Sequence, residues 1–225
     1  MVSKALEDYL KIIYKLEDHA PSGKGVQTSA IAERLSISQA SVSNMLKKLS
    51  EKGHIEHAPY YGVSLTFSGR KIALNMIRKH RILEQYLVER LGYSWDEVDA
   101  EAEVLEHSIS NMLANRMWND LGQPTHDPHG APIPSVEGIM TPQNWTPLNE
   151  IELGVSVQLK RIKNRSPEEL RYLSSIGLTT GKWIEVKNSA PLNGPLLIAV
   201  NDTELHAIDY RLAMALMVSE ENEHS

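Results

Sequence analysis

The chain contains no cysteine and no long uninterrupted run of apolar residues. Without cysteine, the protein forms no disulfide and offers no thiolate ligand to a metal ion. No apolar run approaches the roughly 18 residues that a membrane-spanning helix needs. Charges spread through MVSKALEDYLKIIYKLED argue against a signal peptide. Internal repeats and low-complexity segments are also absent. We therefore expect a globular, cytoplasmic protein with no membrane partner.

The charge is distributed unevenly along the 225 residues. The net charge is −6, yet residues 1–80 contain 12 Lys and Arg against 7 Asp and Glu, a local balance of +5. The remaining residues carry a balance of −11. A basic N-terminal segment in an otherwise acidic chain indicates a module that binds a polyanion.

Residues 1–74 have the pattern of a winged helix-turn-helix. Apolar spacing predicts a helix over residues 3–18 and two short helices around a polar turn over residues 26–55. Thr28 and Ser38 are the expected N-caps of these two helices. Residues 54–68 alternate as a β-hairpin does.

The second helix of this pair is the predicted DNA-reading helix. Short hydroxyl and amide side chains reach base edges and phosphates in a major groove, whereas lysines reach the backbone. A helical hairpin with a solvated polar face is the simpler alternative, which the attached β-hairpin and the basic balance disfavour. The predicted DNA contacts are Thr28, Ser38, Gln39, Ala40, Ser41, Ser43, Asn44 and Lys47.

Long helical patterns follow over residues 68–91 and from about residue 95 to residue 121. In EVLEH, Glu103, Glu106 and His107 stand at i, i+3 and i+4, and Asp99 precedes them by one turn. Like charges on one helix face repel, so this face is either solvated or occupied by a cation. An i, i+4 pair of His and Glu at residues 80 and 84 favours a divalent metal.

The rest of the chain changes character. QPTHDPHGAPIPS is rich in proline and histidine and must be irregular. After residue 150, short alternating strands with Gly and Pro turns predict a small SH3-like β-barrel, interrupted by one helix in SPEELRYLSSIG. The expected fold class is α+β, with domains at residues 1–74, 75–145 and 150–225.

An ordered set of motifs resembles the diphtheria-toxin-repressor family of iron- and manganese-dependent regulators. The motifs are QTSAIAERLSISQASVSNMLKKLSEKGHIEHAPYYGVSLTFSGRKIA, MIRKHRILEQYLVERLG, EVDAEAEVLEHSIS and HDPHGAPIPS. The resemblance covers essentially the whole chain. It implies a winged helix-turn-helix, an all-helical metal-binding and dimerisation domain, and an SH3-like domain of the FeoA type.

The resemblance also implies two metal sites. The primary site would take Asp8, Glu103, Glu106 and His107, and the ancillary site His80, Glu84 and Asp99 with Glu168 from the SH3-like domain. Iron-selective relatives have Met and Cys where this chain has Asp8 and Glu103, so the oxygen ligands favour Mn²⁺, with Fe²⁺ as the alternative. Lys11 replaces a Glu of two-domain manganese relatives, which disfavours a closely spaced binuclear cluster. His126 and His129 are expected in a structural connector.

The expected function is a homodimeric, Mn²⁺-activated repressor of metal-uptake genes that binds a palindromic DNA operator. The sequence presents no distinct nucleophile, so we expect no enzyme activity. Two alternatives stay open. One is a winged-helix regulator that responds to Fe²⁺ or to a small organic effector, and the other is a dinuclear metallohydrolase.

Overall fold

A computed structural model describes residues 3–17, 24–58, 61–163, 166–201 and 204–220. The chain divides into two compact units. The first unit comprises Met1–His80, Glu106–Ile109 and Pro134–Met140, and the second comprises Arg81–Leu105, Ser110–Ile133 and Thr141–Ser225. Of the helices in the described residues, none combines the length and the apolar composition that crossing a membrane requires.

The first unit contains the winged helix-turn-helix that the sequence predicts. Its elements, with the long helix that begins here and continues into the second unit, are α1 Lys4–Glu17, α2 Thr28–Leu35, α3 Gln39–Glu51, β1 Ile55–Ala58, β2 Gly62–Leu65 and α4 Phe67–Leu91. Leu10 and Ile13 of α1, Ile31 of α2, and Leu46 and Leu49 of α3 are fully buried in one core. The helical spacing of these apolar residues therefore places one face of each helix against the others.

The β-hairpin is antiparallel, with Ile55 opposite Leu65. Gly62 has a φ of +96°, and a Cβ atom there would lie 2.6 Å from the Gly25 carbonyl oxygen, so only glycine fits. The turn residues Pro59 and Tyr60, which fall within the predicted hairpin, lie outside the described residues.

The prediction of one helix over residues 95–121 is wrong. Two helices occupy this stretch, α5 Val98–Leu105 and α6 Asn111–Asp120. Ser110 has extended backbone geometry and its side chain accepts a hydrogen bond from the Leu113 amide, so it caps the start of α6. A serine that bonds the backbone in this way favours a helix start over a helix interior. Glu106 and His107 therefore lie in a turn.

The second unit contains an antiparallel sheet in the order β3-β8-β4-β5-β6-β7. Its strands are β3 Thr146–Pro147, β4 Ser156–Ile162, β5 Trp183–Ser189, β6 Leu196–Val200, β7 Glu204–Ile208 and β8 Leu216–Ser219. Their inward side chains form one apolar core, which agrees with the predicted α+β class and its C-terminal β domain. A 3-10 turn at Leu148–Glu150 precedes β4.

Two helices interrupt these strands. α7 Pro167–Ser175 begins with a capping box in which Ser166 and Glu169 exchange hydrogen bonds, as its SPEE sequence favours. The second helix, α8 Tyr210–Ala215, replaces part of a predicted strand. Asp209 causes this difference, because its carboxylate accepts hydrogen bonds from the first amides of the helix.

Candidate metal centre and nucleic-acid interface

α3 has one apolar and one polar face. Val42, Leu46 and Leu49 are buried, whereas seven predicted contact residues are exposed. These seven are Ser38, Gln39, Ala40, Ser41, Ser43, Asn44 and Lys47. The exposed face therefore carries small or polar side chains at its N-terminal end and lysines further along.

Several α3 hydroxyls also stabilise the helix. Ser38 Oγ accepts from the Ser41 amide at 3.2 Å, which confirms Ser38 as the N-cap. Ser43 Oγ donates to the Gln39 carbonyl at 2.9 Å. The terminal amide groups of Gln39 and Asn44 are thus the side chains on this face best suited to read base edges.

Thr28 is not an N-cap. Gln27 occupies that position, without a side-chain capping bond, and Thr28 is the first residue of α2. The Thr28 side chain is half-buried, unlike the predicted contacts on α3.

The first ligand set joins α1 to the turn after α5, and we call it the α1 cluster: Asp8, Glu106 and His107. One ligand atom from each residue lies within 4.8 Å of those from the other two. His107 Nε2 is 2.8 Å from Asp8 Oδ1 and 3.5 Å from Glu106 Oε1. Glu106 is fully buried, whereas the Asp8 side chain is 28% exposed.

Glu106 is surrounded by positively charged or proton-donating groups. Lys11 Nζ donates to both Glu106 carboxylate oxygens at 2.7 Å. His80 Nδ1 lies 2.7 Å from Glu106 Oε2. Burial by itself would raise the pKa of Glu106, but the hydrogen bond from His80 and the charge of Lys11 outweigh burial and lower that pKa. Glu106 is therefore a carboxylate in the folded chain.

Glu7 is a residue that the sequence reasoning missed. Its Oε2 lies 2.8 Å from His107 Nδ1, so it accepts a hydrogen bond from one imidazole nitrogen while the other faces Asp8. Carboxylates that bond the far nitrogen of a ligating histidine orient the ring. The position of Glu7 beside Asp8 in LEDYL was the available signal.

The second ligand set lies in the second unit, and we call it the loop cluster: Glu84, Asp127 and His129. Their ligand atoms also lie within 4.8 Å of one another, and all three residues are buried. His129 Nδ1 is 3.5 Å from Glu84 Oε1. Glu84 was among the ligands predicted from the sequence, Asp127 was not, and His129 was expected in a structural connector.

The histidine of the loop cluster has a defined tautomer. His129 Nε2 lies 2.6 Å from the Trp95 carbonyl oxygen, and the two rings stack with centroids 5.7 Å apart. Because a carbonyl oxygen only accepts, Nε2 carries a hydrogen, and in its neutral form the ring presents its Nδ1 lone pair towards Glu84.

The loop that carries Asp127 and His129 is attached to the β-barrel. The Ile162 amide donates to the His129 carbonyl at 3.0 Å, and Thr180 Oγ1 donates to the Pro128 carbonyl at 3.0 Å. Gly130 has a φ of +84°, and a Cβ atom there would lie 1.7 Å from the Lys160 carbonyl oxygen. The loop that carries two of the three cluster residues is therefore in direct backbone contact with strand β4.

The remaining predicted ligands are divided between the two units. Asp99 and Glu103 are exposed on α5, in the second unit, whereas His80 belongs to the first. Glu168 is exposed in the first turn of α7 and, among the described residues, belongs to no group of three such ligands. Its neighbour Glu169 makes the capping box and an ion pair with Arg211 at 2.9 Å. The roles of Asp99, Glu103 and Glu168 stay predictions.

Both clusters suit a hard or borderline divalent ion. Each combines two carboxylates with one imidazole, which are ligands for Mn²⁺, Fe²⁺ and Zn²⁺. In both clusters one histidine nitrogen faces a carboxylate ligand and the other makes a hydrogen bond that holds the ring, as is usual for metal-ligating histidines. The acceptor is Glu7 for His107 and the Trp95 carbonyl oxygen for His129. The donor chemistry and the spacing of the atoms therefore fit a metal ion.

Comparison with known proteins agrees with this architecture. The N-terminal DNA binding domain of the iron dependent repressors matches residues 1–63, and their metal binding and dimerisation domain matches residues 66–135. A FeoA domain matches residues 146–220.

The matches to individual relatives cover different lengths of this chain and of the relatives. The diphtheria toxin repressor of Corynebacterium efficiens is 31% identical over 213 residues, which are 90% of this chain and 90% of the relative. The iron-dependent repressor IdeR of Mycobacterium leprae is 38% identical over 130 residues, so the match spans only 55% of that relative. A solved manganese-dependent transcriptional repressor in complex with manganese superimposes with a TM-score of 0.84 at 36% identity. That match covers 95% of this chain and 98% of the solved one. The chain belongs to the family of the diphtheria toxin repressor.

Proposed function

We propose that this chain is a homodimeric transcriptional repressor that binds DNA when it has bound a divalent metal ion, and that the activating ion is Mn²⁺. The α1 cluster carries the proposal, because its three ligands come from both matched repressor domains. Asp8 lies in the DNA-binding match, and Glu106 and His107 lie in the metal-binding match. A regulator whose DNA affinity depends on bound metal needs a metal site with ligands from both the DNA-binding segment and the metal-binding segment.

The proposed switch uses the packing of α1. Leu10 and Ile13 bury one face of α1 in the core of the winged helix, so α1 moves with that domain. Asp8 extends from the same helix and meets His107 at 2.8 Å. The bound ion supplies the positive charge that lets Asp8 and Glu106 ligate together. With all three ligands engaged, Asp8 holds the winged helix in a single orientation, which selects one geometry from several.

A fixed orientation matters in a dimer. Two recognition helices must enter successive major grooves about 34 Å apart, so a dimer with a defined separation binds a palindromic operator more tightly. Exposed apolar side chains on α5 and α6, namely Val104, Met112 and Leu113, supply surface for a dimer contact. They lie within the segment that matches the dimerisation domain.

Mn²⁺ is favoured by the ligand types. The chain has no cysteine, and the ligands of both clusters are carboxylates and imidazoles. Oxygen-rich sites suit Mn²⁺, whereas soft thiolates and thioethers favour other metals. The solved relative in complex with manganese supports the same choice.

We further propose that the loop cluster binds a second divalent ion. Three buried acid and imidazole groups with a preset histidine tautomer are the observation that supports it. Its ligands come from α4 and from the loop bonded to β4, so this ion would stabilise the second unit. The grouping of His80, Glu84 and Asp99 predicted from the sequence is the competing assignment for Glu84.

Operator binding across buffered metal series tests the proposed function. A duplex is first selected from a randomised pool with the Mn²⁺-loaded chain, and its Kd is then measured over free Mn²⁺, Fe²⁺ and Zn²⁺ concentrations. We expect tight binding that requires metal, with Mn²⁺ sufficient for full affinity. Metal-independent DNA binding would support an organic effector, and hydrolytic turnover without DNA binding would support the metallohydrolase.

Substitutions on α3 test the DNA-contacting face. Gln39→Ala and Asn44→Ala should each weaken operator binding by about 1–3 kcal/mol while leaving unrelated duplexes nearly unaffected. Lys47→Ala should weaken all duplexes similarly. Unchanged operator preference in all three variants would place the reading surface elsewhere.

A further inference from the structure

Lys11 is a buried lysine on an amphipathic helix, where lysines usually face water. Its side chain is 3% exposed. Its Nζ lies 2.7 Å from both oxygens of Glu106 and 3.5 Å from His80 Nδ1. Burying an ammonium group is costly unless the charge is paired, so this bidentate contact with Glu106 accounts for its position.

The carboxylate that Lys11 neutralises is also a member of the α1 cluster. Glu106 Oε1 lies 3.5 Å from His107 Nε2, the nitrogen that faces Asp8. Because Nζ is equally close to both Glu106 oxygens, an ion that ligates either oxygen comes near the ammonium group. Two positive charges that share one buried carboxylate repel each other strongly at such distances.

The metal-free cluster would be strongly acidic without Lys11. Glu7, Asp8 and Glu106 all contact or approach the His107 ring. Closely spaced carboxylates repel one another and therefore attract any available cation. Lys11 brings one covalently attached positive charge to this group.

We propose that Lys11 is a resident cation of the α1 cluster, which neutralises Glu106 in the metal-free chain and sets the metal concentration at which the cluster fills. This role rests on the proposed metal-dependent function. Lys11 weakens ion binding by repulsion and stabilises the empty cluster by attraction. Both effects raise the free metal concentration that the switch needs, so the cluster does not fill at trace concentrations.

Calorimetry with Mn²⁺ alone tests the proposal. All variants carry Glu84→Gln, which removes a ligand of the loop cluster and leaves the α1 cluster to be measured. Lys11→Gln is neutral and keeps a hydrogen-bond donor for Glu106, and Lys11→Met is neutral without a donor. We expect both to bind Mn²⁺ about tenfold more tightly or better, and the metal-free variants to unfold at lower urea concentration.

Two controls separate charge from packing. Lys11→Arg keeps the charge and should retain a Kd within about threefold of the parent. Lys79→Met removes one positive charge from a half-buried lysine of α4 in the same unit, where Nζ donates to the Ile109 carbonyl at 2.8 Å. Its Mn²⁺ affinity should stay unchanged, because Lys79 donates to a carbonyl oxygen instead of a cluster carboxylate.

The outcomes are distinguishable. An unchanged or weaker Mn²⁺ affinity in Lys11→Gln, while the parent binds Mn²⁺ through Asp8 and His107, overturns the Lys11 proposal alone. If Lys11→Met fails to fold, Lys11→Gln and Lys11→Arg still decide between the outcomes. A parent chain whose Mn²⁺ affinity is unchanged by His107→Ala overturns this proposal together with the proposed function.

Discussion

The α1 cluster and the loop cluster use the same ligand types in opposite settings. Both offer two carboxylates and one imidazole. The Asp8 side chain of the α1 cluster is 28% exposed and comes from a different part of the chain from its partners, about 100 residues away. The loop cluster is buried throughout, and two of its members are two residues apart.

We infer from this difference that the α1 cluster reports metal occupancy and that the loop cluster stabilises the second unit. A ligand that is partly exposed and belongs to α1, which packs in the core of the winged helix, can engage or release, so occupancy changes the geometry of α1. Asp127 and His129 are buried on a loop that is held by the Ile162 amide of β4 and by the Thr180 hydroxyl, so we expect these ligands to keep one arrangement. We expect the α1 cluster to govern DNA binding and the loop cluster to govern the stability of the second unit.

The largest expected effect follows from removing the central carboxylate of the α1 cluster. Glu106→Ala leaves the Lys11 ammonium buried without its partner, which should lower the free energy of unfolding of the metal-free chain by about 3–5 kcal/mol. Urea denaturation followed by circular dichroism measures this loss. Glu33→Ala, at an exposed position of α2 in the same unit, is the matched control and should change stability by less than about 0.5 kcal/mol. Equal losses in both variants would show that the Lys11 pair is unimportant for stability.

Asp8→Ala should separate metal binding from DNA binding. Glu106, His107 and the loop cluster still bind Mn²⁺, but α1 no longer contributes a ligand, so operator affinity at saturating Mn²⁺ should fall about 5- to 150-fold. Mn²⁺ calorimetry beside operator binding measures both quantities. His107→Ala should instead lower metal affinity and DNA response together. Wild-type operator affinity in Asp8→Ala would contradict the reporting role of the α1 cluster.

Glu84→Gln tests the stabilising role that we expect for the loop cluster. The substitution removes a charged ligand from the loop cluster, so we expect about one fewer Mn²⁺ per chain and weaker thermal stabilisation by Mn²⁺. Operator affinity at saturating Mn²⁺ should change less than in Asp8→Ala. A larger loss of operator affinity than in Asp8→Ala would reverse the assigned roles.

The smallest expected effects concern the first turn of α7. Ser166→Ala removes the capping box and should cost about 1 kcal/mol without altering metal binding. Glu168→Ala tests the ligand predicted from the sequence. Its exposed position favours no change in Mn²⁺ stoichiometry. A loss of one Mn²⁺ in that variant would give the β-barrel a direct ligand and make the two clusters more alike.

Much of the fold could be predicted from local pattern. Period-3.6 apolar spacing predicted α1 to α4, and alternation with glycine turns predicted the hairpin and most barrel strands. The predictions failed where one side chain bonded the backbone, as Ser110 does at the start of α6 and Asp209 at the start of α8. Such local competition is nearly invisible to periodicity, because both helical and extended patterns tolerate a single polar residue.

The family, the α+β class and the types of ligand could all be predicted before the fold was known, because they depend on ordered motifs and on residue chemistry. The sequence also placed Asp8, Glu106 and His107 in one predicted set. Only the tertiary structure decided that Lys11 turns inward to Glu106, and that Asp127 and His129 converge with Glu84. These are pairings across 95 residues and across more than 40, respectively. Which polar group satisfies a buried charge depends on chain packing, and no local spacing encodes it.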